Sequence, residues 1–284
     1  MMELLLPSPE QKLFIPRLNH EIIFKRDDLI HPIVSGNKWR KLKYHLTAFE
    51  ESKKKCIVSI GGAHSNHLHA LSYLCFQLQI PCKLLIYGSP NSTIENNTLQ
   101  DCLSWGASID YISRREAKSN FLSYASDDYF IEEGGKGEIA QQGMGELVDE
   151  LIDFEDNSKT LIAVAYGTGT SVQALLKKTN ECHVVTLSPV KNNQLLQHSR
   201  LHYLIDYLNL SFAGFSNEYY SKIIAFQKET SILLDPVYTG KLYLNLIHSS
   251  INFMNYNKIY FVHSGGLQAW RDYRQRYKDK IIAD

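Results

Sequence analysis

Short apolar runs rich in β-branched residues alternate along this chain of 284 residues with longer stretches of helical periodicity. That alternation narrows the fold more than any other feature, because strands apolar on both faces belong to parallel sheets, and parallel strands need crossovers long enough to be helices. Strands are expected at Glu21–Lys25, Cys56–Ile60, Cys82–Tyr87, Thr160–Tyr166, Cys182–Leu187 and Ile259–His263. Helices are expected at Trp39–Lys53, Ser65–Leu78, Ser92–Trp105, Gln142–Asp153, Ser171–Lys178, Asn192–Asn209 and Gly240–Asn255. The expected fold is α/β, with open, mostly parallel sheets covered by helices. No repeat and no Gly/Ser- or Pro-rich linker separates consecutive domains, so two lobes would be interleaved. The most polar crossing point is Phe154–Lys159, directly before a strong strand.

Composition excludes several classes. Thirty Lys plus Arg balance thirty Asp plus Glu, leaving no long-range field to favour nucleic acid or an anionic lipid surface. Hydrophobic residues make up 44% and charged residues 21%, the balance of an ordinary globular protein. The five cysteines form no CxxC pair and mostly sit in or beside apolar runs, as reduced buried thiols do. Leu4–Leu6 is too short for a signal-peptide core and is followed by Pro7, and no run approaches the ~18 apolar residues of a membrane span. A soluble, cytoplasmic protein is the expectation.

Four glycine-containing segments fall at strand ends or helix starts, where open parallel sheets place ligands. In Val34–Leu42 (VSGNKWRKL) a glycine turn leads into a helix whose first turn holds Lys38. Lysine normally avoids that end of the helix dipole. Partly desolvated there, it would have a lowered pKa and act as a nucleophile toward an aldehyde, the plainer alternative being a solvated basic face with Arg40, Lys41 and Lys43. In Ser59–His67 (SIGGAHSNH) an apolar strand runs into Ser65 and Asn66, which are either helix caps or oriented hydrogen-bonding groups. His64, His67 and His69 crowd this turn, but their spacing lacks an HxxxH pair, and no metal is expected. The third segment, Gly167-Thr168-Gly169-Thr170-Ser171, links an apolar strand to a helix and offers consecutive N–H groups and hydroxyls to a phosphate or, more simply, forms a turn. It is neither a Walker A loop nor GxGxxG. The fourth is paired, with Leu234–Lys241 (LDPVYTGK) before a helix and Phe261–Gly266 (FVHSGG) after the last strand.

Taken in order, Arg26-Asp27-Asp28, SGNKWRKL, GGAHSNH, Glu132-Glu133-Gly134-Gly135, DPVYTGK and HSGG resemble one family over nearly the whole chain. That family comprises the pyridoxal-phosphate enzymes D-cysteine desulfhydrase and 1-aminocyclopropane-1-carboxylate (ACC) deaminase, of the tryptophan-synthase-beta-like, fold type II group. The resemblance implies a large lobe of residues 1–45 and 150–284 with a smaller lobe, 46–149, inserted into it, and a homodimer. It implies Lys38 as the Schiff-base lysine, Asn66 on the cofactor's ring hydroxyl, and Ser65 at the substrate carboxylate or in proton transfer, with His67 beside it. Gly167, Thr168, Gly169, Thr170 and Ser171 would be the phosphate cup, Tyr238 an active-site tyrosine, and Ser264 the partner of the pyridine nitrogen.

A neutral hydroxyl at that nitrogen makes a weaker electron sink than a carboxylate. ACC deaminases carry a glutamate where this chain has Thr239. The resemblance therefore points to β-elimination from a D-amino acid such as D-cysteine, giving pyruvate, ammonia and sulfide. ACC deaminase, another amino-acid deaminase or racemase, and a non-catalytic cofactor-binding protein are the alternatives. Thr170 stands where the family commonly has glycine, and a side chain there would limit the backbone's approach to a phosphate.

Overall fold

The computed structural model describes residues 2–90, 96–119, 128–189 and 195–281, without the side chains of 117–119. Its strands are β1 (Glu10–Ile15), β2 (His20–Lys25), β3 (Ile57–Gly62), β4 (Cys82–Tyr87), β5 (Ser108–Ile112), β6 (Tyr129–Ile131), β7 (Thr160–Ala163), β8 (His183–Thr186), β9 (Leu201–Tyr203) and β10 (Lys258–Val262). The described helices are α1 (Asn37–Ser52), α2 (Asn66–Leu78), α3 (Asn97–Ser104), α4 (Arg114–Ser119), α5 (Glu138–Asp149), α6 (Thr170–Lys178), α7 (Asn217–Thr230), α8 (Thr239–Ile247) and α9 (Ala269–Tyr277).

Two sheets result. The larger runs β1-β2-β10-β7-β8-β9, and only the β1–β2 hairpin is antiparallel. The smaller, β5-β4-β3-β6, is parallel throughout, and its strands fall in sequence between β2 and β7. One face of the large sheet carries Phe24 and Phe261 against Tyr219, Phe226 and Tyr243 of α7 and α8. The other packs Tyr260 and Val184 on Met144, Leu147, Val172 and Leu175 of α5 and α6. In the small sheet, Leu84 and Ile86 meet Leu68, Leu71 and Leu99 of α2 and α3, joined by Leu42 and Phe49 of α1. Thus α1 faces the small core with Leu42 and Phe49. Its Arg40 carbonyl also lies so close to Gly143 of α5 that a Cβ there would sit 1.9 Å from the oxygen.

A buried ion cluster fixes α1. Arg40 is 1% exposed, and its guanidinium donates to Asp27 Oδ2 at 2.7 Å and Oδ1 at 2.8 Å, and to both Glu150 oxygens at 2.8 Å. Arg26 forks onto Asp28 in the same layer, at 2.9 and 2.7 Å. The Arg-Asp-Asp triplet is thus a mount for the helix that carries Lys38. Ahead of it, the Gly36 N–H donates to the Asp27 carbonyl at 2.7 Å. Gly36 has φ +63°, and a Cβ there would lie 1.9 Å from the Ser264 carbonyl oxygen, so only glycine fits.

Some sequence expectations shift. The helix expected at 192–209 is contradicted, for Leu201–Tyr203 is β9, pairing with β8, while 192–194 lie outside the described residues. Its apolar residues serve a sheet edge, where periodicity over so short a run does not separate the two states. The helix expected at 240–255 stops at Ile247, and a short 3-10 turn holds Phe253–Asn255. The helix expected from Ser92 is described from Asn97, with 91–95 outside the described residues.

Two stability outcomes follow. Gly36→Ala should cost about 2–4 kcal/mol from φ strain and the carbonyl clash, whereas Gly62→Ala, with nothing within 4 Å of the new Cβ, should stay within about 0.5 kcal/mol. Arg40→Met removes the guanidinium shared by Asp27 and Glu150, leaving them Lys25, 3.8 Å from Glu150, and should cost about 3–5 kcal/mol. Urea denaturation of the variants checks both.

Candidate active site

The loops at the carboxyl ends of β3, β7 and β10 meet the start of α1, and they bring the sequence-predicted residues together. Gly36 abuts Ser264, and Gly265, at φ +71°, sits against Ser35, where a Cβ would be 2.5 Å from the hydroxyl. Gly266 sits against Asn66, and a Cβ there would be 2.3 Å from its amide nitrogen. The Asn66 amide oxygen accepts a short hydrogen bond from Gln268 Nε2. Asn37 Nδ2 reaches Ser171 Oγ at 3.5 Å, tying α1 to the Gly/Thr loop, and the Tyr238 ring lies 3.8 Å from where a Gly167 Cβ would stand.

Lys38 keeps part of its surface accessible but lies deep enough that burial lowers its pKa to about 8, with the Asp235 carboxylate pulling upward. The solvated-basic-face alternative therefore fails for this lysine. It fails for Lys41 too, which is 4% exposed and donates to the Gly134 carbonyl at 3.3 Å. Burial, and then Lys38, hold its pKa well below the usual lysine range. Burial likewise holds His67 well below its ordinary value, helped by Lys38, Lys41 and His45.

Ser65 is the N-cap of α2, accepting from the Leu68 N–H at 3.3 Å, which leaves its hydroxyl proton free to donate. In the Gly/Thr loop the left-handed residue is Gly169, at φ +83°, while Thr170 opens α6 in helical conformation. Thr170 thus imposes no backbone strain, and its hydroxyl pairs with that of Thr168 at 2.9 Å. The first N–H groups of α6 lack intrahelical partners and can hold an anion. Tyr238 follows Asp235, whose carboxylate accepts from the Val237, Tyr238 and Thr239 N–H groups at 2.9, 2.8 and 2.7 Å and from the Thr239 hydroxyl. Burial, Asp235 and Glu133 raise the Tyr238 pKa, keeping it a neutral phenol.

Sequence reasoning gave Lys41 and Asn37 no role at the site. Lys41 lies in a charged run whose burial no local pattern signals. Asn37 leaves a buried Oδ1 with no partner, and His67 a buried Nδ1. Gly134 packs on Thr168, and Gly135 on His67 and Lys41, so the Glu132–Gly135 turn backs the site. The three clustered histidines go separate ways: His64 to Asp272, His67 to Ser59 and His69 to Asp101, at 2.9, 3.0 and 2.9 Å. Asp272 of α9 also accepts from Asn97 and Thr98 at the start of α3. With Gln268, it holds the Ser65–Asn66 loop in register.

As the pH rises through about 8 the Lys38 amine loses its proton, so its acetylation rate should climb through that range and level above it. Asp235→Asn removes the charge that raises this pKa, so the midpoint should move to lower pH. Competitive acetic anhydride labelling read by peptide mass spectrometry measures both.

No protein-family model matches the sequence. A Pyrococcus furiosus protein named "Putative 1-aminocyclopropane-1-carboxylate deaminase" is 26% identical over 306 aligned positions, covering 93% of this chain and 88% of its own. An Arabidopsis thaliana protein named "Bifunctional D-cysteine desulfhydrase/1-aminocyclopropane-1-carboxylate deaminase, mitochondrial" is 25% identical, covering 94% of this chain and 78% of its own. In fold, the chain matches the crystal structure of an ACC deaminase homologue at a TM-score of 0.78 and 21% identity, over 98% of this chain and 94% of that one. It matches maize serine racemase at 0.66 and 14% identity, over 96% and 93%. The chain is thus a homologue of proteins named for ACC deaminase and D-cysteine desulfhydrase activity, and its fold is that of the fold type II pyridoxal-phosphate enzymes.

Proposed function

We propose that this protein is a pyridoxal-phosphate-dependent lyase that eliminates the β-substituent of a D-amino acid, D-cysteine being the reference substrate. The carrying observation is Lys38, a desolvated amine with a pKa of about 8, whose chain neighbours Gly36 and Asn37 abut Ser264 and Ser171. The residues fit the group. Gly167–Ser171 and the α6 N-terminus suit its phosphate, Asn66 its ring hydroxyl, Ser264 its ring nitrogen, and Lys38 its aldehyde. The buried, unpartnered Asn37 Oδ1, beside Ser171, and His67 Nδ1 are further polar atoms that a ligand can satisfy. When bound, pyridoxal phosphate supplies an electron-withdrawing ring for the electrons left by the α-proton.

The chain's own groups supply the rest. Lys38 Nζ, neutral above about pH 8, accepts the α-proton, and Ser65 and Asn66 orient the substrate. Tyr238, a neutral phenol, can donate but brings no charge. The carbon–sulfur bond breaks, sulfide leaves, and water yields pyruvate and ammonia. Elimination is favoured over cyclopropane opening because Thr239 is fully buried and its hydroxyl is spent on Asp235. Asp235 is itself saturated by the turn, and Ser264 is uncharged, so this reading puts no carboxylate on the ring nitrogen. The relatives' names support ACC deamination equally, and Thr239 is what weighs against it. The same reading carries with it the smaller lobe of residues 46–149, a homodimer and a cytoplasmic location.

Purified protein with added cofactor should release sulfide and pyruvate from D-cysteine and little 2-oxobutyrate from ACC. Lys38→Ala should lower the rate about a thousandfold or more. The reverse substrate pattern contradicts elimination, and inertness toward both, together with a D- and L-amino-acid panel, would favour a non-catalytic cofactor-binding protein.

A further inference from the structure

The turn Ser211–Gly214 is irregular backbone held by side chains from two helices. Its Gly214 N–H donates to the Ser211 carbonyl at 2.8 Å, and Ala213 is left-handed at φ +50°. Lys241 of α8, fully buried, donates to the carbonyls of Leu210 and Ser211 at 3.4 and 2.6 Å. From α9 the Tyr277 hydroxyl donates to the Ala213 carbonyl at 2.9 Å, and the Tyr273 hydroxyl to that of Gly214 at 3.0 Å. A buried ammonium is costly to take out of water, so this is an expensive way to fix a surface turn. The residue at its apex is Phe212, 51% exposed. Its ring stands edge-on to that of Tyr238, with centroids 6.0 Å apart and planes at 73°. Tyr238 in turn flanks Gly167 of the Gly/Thr loop, and the Glu133 carboxylate after β6 is near enough to raise its pKa. Both rings keep surface accessible. A single exposed phenyl is ordinary on a protein surface; one clamped rigidly beside the tyrosine of the candidate site is placed to meet what enters there.

We propose that Phe212 is a specificity-determining residue for the group that leaves the β-carbon, favouring a D-amino acid that carries an aryl or alkyl thioether over one that carries a free thiol. This rests on the β-elimination reading above. The α-proton passes to Lys38, the carbon–sulfur bond breaks with its electron pair going to sulfur, and the thiolate takes up a proton and leaves as a thiol. Water converts the remainder to pyruvate and ammonia. The apolar group on sulfur covers the Phe212 ring, and burying one phenyl against another strengthens binding about tenfold or more. A free thiol brings no such group.

Phe212 is half exposed, so its replacement leaves the core untouched. In the cofactor-loaded protein, Phe212→Ala should lower kcat/KM for S-phenyl-D-cysteine about tenfold to thirtyfold, chiefly through KM, and leave D-cysteine within about threefold, with partial rescue by Phe212→Leu. Equal effects on the two substrates overturn the proposal, and so does a faster thioether reaction in Phe212→Ala, which would make the ring a barrier. Binding is read without turnover from D-homophenylalanine and D-2-aminobutyrate, which differ by one phenyl and carry no leaving group. By calorimetry the wild type should bind the former about tenfold more tightly or better, and Phe212→Ala should erase most of that preference. No preference in the wild type overturns the proposal. A preference that Phe212→Ala erases, without pyruvate from either cysteine substrate, supports the selectivity of Phe212 and contradicts the elimination reading. A changed oligomeric state in Phe212→Ala with the binding preference intact assigns the ring to an interface between copies and overturns the proposal.

Discussion

The guanidinium of Arg40 is the contact on which the rest of the structure depends. It is buried, and burial alone would disfavour its charge, but the hydrogen bonds it donates to Glu150 and Asp27, with their negative charges, more than restore it. Its five donors match two carboxylates in a way that a lysine's single ammonium cannot. Asp27 belongs to the turn after β2, and Glu150 follows α5. Arg40 therefore fastens α1 to the large sheet and to the helix next to it. Lys38 lies two residues earlier, on the helix turn that this cluster and the Gly36–Ser264 contact hold rigid.

That rigidity matters because the site is electrostatically unbalanced. Lys38, Lys41, His45 and His67 are basic groups brought into a desolvated region where Asp235 is the carboxylate that raises Lys38. Asp235 gives its oxygens to the turn before α8, so its field reaches Lys38 while its hydrogen bonds do not. Burial thus shifts these bases toward their neutral, proton-accepting forms, which Lys38 reaches above about pH 8. A solvated lysine at this position would be protonated and a poor nucleophile.

Much of this was legible in the sequence, for identifiable reasons. The alternation of apolar runs and helical segments specified parallel sheets, and GGAHSNH, GTGTS and HSGG fell at strand ends, where Gly169, Gly265 and Gly266 hold the positive φ that glycine allows. What stayed hidden depends on distant parts of the chain. Lys41 and Lys43 read alike in sequence, yet Lys41 is buried and Lys43 is not, a difference set by the Glu132–Gly135 turn, some ninety residues on. The clasp of Asp272 on His64 and Asn97 joins α9 to the small-sheet segments, and neither end signals the other. Thr170 begins α6 in helical conformation, with the left-handed position at Gly169, a local detail that the sequence alone does not show. The edge strand β9 had too few residues for period to distinguish it from a helix.

The claim underlying all of this is that Lys38, and not one of the other buried lysines, is the amine that captures an aldehyde. Borohydride reduction of the protein with pyridoxal phosphate, followed by peptide mapping, tests it directly. The account predicts a yellow protein and one cofactor fixed on Lys38. Label on Lys41 or Lys25, or a colourless protein with none, would contradict it.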